Sequence, residues 1–240
     1  MAKYERLCTY QVMLETGLVP LFYDSDLEVA KAVAKACAEG GARVLEFTHR
    51  GDHAYPVFCE LLSYIELNKI PLILGVGSII DPYIAGLYIA SGANFIVGPM
   101  FNPEVAKLCN RHKIPYIPGC GSVTEISEAE ELGVEIVKVF PGKCVGGTDF
   151  ISSLSGPMRQ TRIMPTGGVD VTQEDLEKWI SSGASCLGMG SKLIKKELVE
   201  KRDWEEISLL TGKVLELIAG FMKTSKKGKL VDYQSFMRNL

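Results

Sequence analysis

The sequence predicts an α/β fold, a (β/α)8 TIM barrel with a short N-terminal helix and a C-terminal tail. Three observations carry that expectation. Eight short apolar runs recur along 240 residues, each followed by a stretch with helical character. Four of the runs come just after a glycine placed to end a helix: GGARVLEF from Gly40, SGANFIVG from Ser91, ELGVEIVKVF from Glu131 and SSGASCLGMG from Ser181. Glycine enters the left-handed conformation that closes a helix without a Cβ clash, so each marks a helix-to-strand turn. No G-x-G-x-x-G follows the first strand. Its absence turns the choice away from a doubly wound open sheet, the structural competitor, and towards eight βα units in about 250 residues.

The elements follow in order. Residues 2–16 read as a short helix that closes the bottom of the barrel, and LVPLFY at 18–23 is the first strand. DLEVAKAVAKACAEG is the helix after it. The second strand ends in VLEFTHR, the third is LILGVGS at 72–78, and SGANFIVG holds the fourth. IPYIPGC at 114–120, ELGVEIVKVF, RIMPTGG at 162–168 and SSGASCLGMG supply the remaining four, with TQEDLEKWISSG as the helix after the seventh. Asp or Thr near the start of these helices offers an oxygen to their free N–H groups. A last helix over 203–222 completes one domain, 1–222, and KTSKKGKLVDYQSFMRNL at 223–240 is a basic linker with an amphipathic tail.

Composition narrows the function. A formal charge of −3 with acidic and basic residues interleaved leaves no broad basic face for nucleic acid or anionic lipid, so the expected partner is a small molecule. The N-terminus lacks the apolar core of a leader, and no apolar run is long enough to span a bilayer, which predicts a cytoplasmic protein. Seven cysteines without a C-x-x-C pair argue neither for a disulfide framework nor for a zinc site.

In a barrel the chemistry sits at the C-terminal strand ends, and alternate side chains point inward. In VLEFTHR, Glu46, Thr48 and Arg50 share one parity while Leu45, Phe47 and His49 share the other. The apolar parity faces the helices, so the carboxylate and guanidinium turn inward. In EIVKVFPG, Val137 and Val139 face the helices, which turns Ile136, Lys138 and Phe140 into the barrel. Ser78 ends the third strand beside two glycines that leave space. Buried charges must pair or be used. A Glu46–Lys138 salt bridge holding two strands is the structural alternative. The functional one is a desolvated lysine beside Arg50, held neutral so that its amine adds to a ketone. Glu46 then moves protons and Arg50 holds a carboxylate. The seventh and eighth strands end in PTGGVD and GMGSKL, glycines with a hydroxyl before a helix, the usual phosphate position of such barrels.

VLEFTHR, GVGS, FIVGPM, IPYIPG, VKVFP and MPTGGV, in this order and spacing, resemble the class I aldolases that cleave 2-keto-3-deoxy-6-phosphogluconate and 4-hydroxy-2-oxoglutarate. The resemblance runs from Leu18 to Leu193, and its specific part is E-x-T-x-R with K-x-F-P. It implies that Lys138 is the Schiff-base lysine and Glu46 the general acid/base. Arg50, Ser78 and Pro99 then surround the pyruvyl carboxylate, Phe140 packs on it, and Gly167, Gly168 and Ser191 hold the distal phosphate. It implies no cofactor and no metal, with catalysis through the covalent imine, and a homotrimer.

The chain departs from the pattern at Ser78, where Thr is commoner, at His49 in place of Leu, and at Gly142-Lys143 in place of Ala-Glu. Ser keeps the hydroxyl, and His49 has the helix-facing parity of a hydrogen-bonded packing residue. Lys143, at the mouth of the site, bears on which aldehyde is preferred. His53 and His112 read as surface residues. Three alternatives stay open at this level: the related 2-keto-3-deoxy-6-phosphogalactonate aldolase, a phosphosugar isomerase or epimerase, and a ligand-binding barrel without catalysis.

Overall fold

The computed structural model describes residues 2–224. Helix α1 (Arg6–Thr16) leads into β1 (Leu18–Phe22), and strands and helices then alternate: α2 (Leu27–Glu39), β2 (Val44–Thr48), α3 (Ala54–Leu67), β3 (Ile73–Gly77), α4 (Pro82–Ala90), β4 (Ile96–Val97) and α5 (Pro103–His112). β5 (Tyr116–Ile117), β6 (Gly119–Cys120), α6 (Val123–Glu131), β7 (Val137–Val139), α7 (Gly147–Leu154), β8 (Ile163–Pro165), α8 (Gln173–Ser181), β9 (Leu187–Met189), α9 (Lys196–Glu200) and α10 (Trp204–Thr224) complete it. The predicted tail lies, from residue 225 on, outside the described residues.

Local chemistry accounts for the boundaries. Asp26 accepts from the N–H groups of Glu28 and Val29 to cap α2, and Thr172 accepts from Asp175 N–H to cap α8. Each predicted helix-to-strand turn contains one left-handed glycine: Gly41, Gly92, Gly133 and Gly183 have φ of 99°, 102°, 77° and 112°. A side chain is strained there, which is why glycine recurs.

All strand pairs are parallel. The ladders fall in two sheets, β5-β4-β3-β2-β1-β9 and β6-β7-β8, where the sequence reading expected one cylinder of eight. The break comes at Pro118, within the predicted fifth strand. Tyr116 and Ile117 pair with β4, whereas Gly119 and Cys120 pair with β7. Proline has no N–H to continue the ladder, and its carbonyl instead accepts Lys138 N–H at 2.8 Å. A single bridge, Thr166 to Gly188, links the smaller sheet to β9.

Two apolar clusters divide the side chains by parity. Leu45, Phe47, Val137 and Val139 belong to the large cluster between sheet and helices. Val44, Ile136, Ile73, Ile117, Met164 and Cys186 belong to a smaller one enclosed by the curl of the strands, with Tyr10 and Met13 of α1 covering its end. Tyr10 Oη also donates to Tyr116 O at 3.3 Å, which fixes α1 against the strand ends. The inward parity that holds Val44 and Ile136 below therefore holds Glu46 and Lys138 one step further along.

Candidate active site

Glu46 lies mid-strand in β2, in register with Gly75 of β3, and Lys138 lies mid-strand in β7, in register with Gly119 and Met164. Both are buried, at 1% and 5% exposure. Among the described residues neither joins an ion pair, so the salt bridge of the structural alternative does not form. Glu46 Oε2 is buried without a hydrogen-bond partner. Burial pushes the Glu46 carboxyl above its ordinary range, against the opposing charges of Lys138 and Arg50. Burial also pulls Lys138 below the usual lysine range; Glu46 opposes this and the Arg50 cation adds to it. A buried amine shifted towards neutrality is a nucleophile, and a buried carboxyl that resists ionisation is a proton carrier.

The neighbours fit tightly. Lys138 Nζ sits 4.7 Å from the centre of the Phe140 ring. Arg50 Nε donates to Ser78 Oγ at 3.4 Å, and Thr48 Oγ1 donates to Phe22 O at 3.2 Å. Ser78 holds φ at +64°, a left-handed conformation that costs a non-glycine residue on the order of 1–2 kcal/mol and turns its hydroxyl towards Arg50. The space left by the two glycines of β3 is already used. A Cβ on Gly75 would meet the Phe95 ring and one on Gly77 would meet the Glu46 carboxylate, so the strand is hollowed to seat a proton carrier. The Pro99 carbonyl is packed against Gly119, the register partner of Lys138.

Gly77 is not at positive φ, so alanine suits its backbone, yet the added methyl displaces Glu46. Gly77→Ala is expected to lower kcat about 100-fold, the scale of an ångström of misplacement, with trapping of a keto acid on Lys138 retained. Full activity in a steady-state assay would show that the position of Glu46 does not matter.

Beside this pair a cavity of about 440 Å³ is lined by Arg50, Phe140, Gly167, Gly168 and Ser191. Gly167 and Gly168 are exposed at the end of β8 with φ of 89° and 90°. Five of the nine residues singled out in the sequence thus line one cavity, with Ser78 bonded to Arg50 and Lys138 set against Phe140. His49 faces the helices and its Nδ1 bonds Tyr88 Oη at 2.8 Å, as its parity predicts, while His53 and His112 are exposed. Lys143 stands beside the cavity, its stem against Gly168 and its ammonium 3.2 Å from Asp175.

Thr166, the hydroxyl of PTGGVD, is buried with its Oγ1 lacking a partner, and it carries the inward parity of Met164. One lining residue went unread: Lys192 follows Ser191, and nothing local marks it.

A desolvated amine and a protonatable carboxyl inside a curl of parallel strands, with a guanidinium acting on both, suit a carbon–carbon lyase of the aldolase class. The family model described as KDPG and KHG aldolase matches residues 10–210, and the chain belongs to that family. It is 30% identical over 209 residues to the 2-dehydro-3-deoxy-phosphogluconate aldolase of Treponema pallidum, covering 87% of this chain and 97% of that one. It is 30% identical over 206 residues to the KHG/KDPG aldolase of Escherichia coli K12, covering 85% and 93%. The solved KDPG aldolase of Legionella pneumophila, with pyruvate captured as a covalent carbinolamine, is similar at a TM-score of 0.77 and 28% identity, over 85% of this chain and 96% of that one.

Proposed function

We propose that the protein cleaves 2-keto-3-deoxy-6-phosphogluconate, 4-hydroxy-2-oxoglutarate or both, giving pyruvate and glyceraldehyde 3-phosphate or glyoxylate, through a Schiff base on Lys138. The observation that carries this reading is the buried, unpaired Lys138 beside buried Glu46, each shifted towards its neutral form. The amine adds to the C2 ketone, and Glu46, protonated at the start, gives its proton to the carbinolamine hydroxyl as water leaves, which makes the iminium ion and leaves a carboxylate. Glu46 takes the proton of the C4 hydroxyl as the C3–C4 bond breaks, and its electron pair flows into the iminium to give an enamine. The aldehyde leaves, Glu46 returns the proton to C3, and hydrolysis frees pyruvate and the lysine. Arg50, with Ser78 and Pro99 nearby, holds the pyruvyl carboxylate, and Phe140 packs on the bound keto acid. Gly167, Gly168 and Ser191 receive the distal group. Borohydride with pyruvate, followed by peptide mass spectrometry, tests this directly. A reduced adduct on the Lys138 peptide is expected, and its absence would turn the reading towards a phosphosugar isomerase.

Ser191→Asp sets a carboxylate against the distal group. It is expected to lower kcat/KM at least tenfold more for the phosphorylated substrate than for 4-hydroxy-2-oxoglutarate, since like charges repel strongly at contact distance. Parallel losses on both would remove Ser191 from the distal site.

The two sheets act as one closed cylinder in which β5 and β6 count as a single strand, supported by the inner cluster and by Ser185 N–H donating to Ile163 O at 2.8 Å. The protein assembles as a homotrimer, supported by apolar side chains left exposed on α4 and the turns beside it: Ile80, Leu87, Met100 and above all Tyr83 at 86%. A monomer in light scattering would overturn this. A cytoplasmic setting suits its seven free cysteines; among the described residues no helix is long and apolar enough to cross a membrane.

A further inference from the structure

The distal end of the cavity carries a charge that glycines and a serine do not account for. Lys192 lines the cavity with Ser191, Gly167 and Gly168. Its Nζ lies 3.2 Å from Asp170 Oδ2, so one ion pair joins the turn after β9 to the turn after β8. The lysine side chain is 60% exposed and Asp170 30%, and a pair so open to water holds weakly. Asp170 has a second tie, accepting Val171 N–H at 2.7 Å, which keeps its carboxylate in place without the lysine.

The neighbouring pair is built differently. Asp175 holds Lys143 at 3.2 Å and also accepts Asp170 N–H at 2.7 Å and Trp179 Nε1–H at 3.0 Å. Those bonds fix the glycine turn to α8 and tie Lys143 to that helix. Lys196 lines the cavity too, but its partner Glu200, at 3.5 Å, is on its own helix and not on the glycine turn after β8. Lys192 is therefore the lysine that both faces the cavity and shares its partner across the two anion-binding turns.

We propose that Lys192 is the specificity-determining cation of the distal subsite: when a substrate ending in a phosphate binds, its ammonium leaves Asp170 for the phosphate oxygens, favouring a dianionic end over the short carboxylate end of a 4-hydroxy-2-oxo diacid. This rests on the reading that Gly167, Gly168 and Ser191 receive the distal group. The exchange is easy because the resting pair is exposed, and a phosphate dianion offers more charge and more acceptor oxygens than Asp170 does. Asp170 is the positioning residue, keeping the cation at the cavity rim between turnovers.

The test compares wild type with Lys192→Met, Lys192→Arg and Asp170→Asn on 2-keto-3-deoxy-6-phosphogluconate and 4-hydroxy-2-oxoglutarate. Inorganic phosphate serves as a competitor and borohydride trapping of pyruvate as the check on the Schiff base. Lys192→Met is expected to lower kcat/KM for the phosphorylated substrate about tenfold, chiefly through KM, to weaken phosphate inhibition by a similar factor, and to lower kcat/KM for the diacid by a clearly smaller factor, with trapping retained. Lys192→Arg keeps most of the preference, and Asp170→Asn keeps or raises it, because a competing partner is gone. If Lys192→Met and Asp170→Asn instead reduce both substrates alike, the pair is only a latch between turns. Phosphate inhibiting wild type and Lys192→Met equally would remove Lys192 while leaving the distal site. Phosphate failing to compete in wild type, with pyruvate still trapped, would remove the distal site itself.

Discussion

Lys138→Met is expected to lower kcat by a factor on the order of 10⁴ to 10⁶, the scale on which losing a covalent nucleophile acts, and to abolish the borohydride-trapped pyruvate adduct. Methionine has a similar length and no charge, so the strand and the inner face of β7 remain filled. The variant should also be more stable. Lys138 is depressed in the fold, first by burial. A depressed lysine contributes stability that is present above its unfolded value of 10.5 and lost as pH falls below it, so between the folded value and 10.5 wild type gains stability with rising pH. Methionine does not titrate, which removes that dependence. It should add stability at neutral pH, because the cost of burying the amine is removed while the volume stays filled. Thermal unfolding of both proteins across the alkaline range checks the sign. A variant that stays active, or that loses stability at neutral pH, would mean that Lys138 is a structural partner.

Much of this site is legible in the sequence because strand parity has a period of two and tolerates no slip. Glu46 with Val44 and Lys138 with Ile136 follow from which neighbours are apolar, and the two clusters separate them as that rule requires. The recurrent turn glycines are legible for a similar reason, since one conformation excludes a Cβ. What is not legible depends on contacts far apart in the chain. Nothing local says that Ser78 adopts a left-handed backbone, because its hydrogen bond to Arg50 comes from another strand. Nor does IPYIPGC say that its two halves pair with different sheets, since that follows from where β4 and β7 lie on either side of Pro118. The ion pairs of Lys143 and Lys192 join residues 32 and 22 positions apart, and the sequence shows only lysines and aspartates near turns.

Glu46→Gln separates proton transfer from imine formation. The side chain keeps its size within the space above Gly77, so pyruvate should still be trapped on Lys138, more slowly, while cleavage falls by about 10² to 10⁴, the contribution of a positioned general base. Stability should move the opposite way from activity. The Glu46 carboxyl is raised in the fold, with burial the leading cause, and Oε2 has no partner to offset ionisation. A raised acid contributes stability that is fully present below its unfolded value of 4.5 and lost as pH rises through the folded one. In that window the native state binds the proton more tightly than the unfolded chain, so the wild type weakens with rising pH. Glutamine does not titrate, and the variant should gain on wild type from pH 4.5 upward until the native carboxyl is fully ionised. Melting curves from pH 4 to 9, run beside single-turnover cleavage, test both halves. If the variant cleaves like wild type, the proton moves through another group, and Thr166, whose buried hydroxyl lines the same cavity without a partner, is the next residue to change.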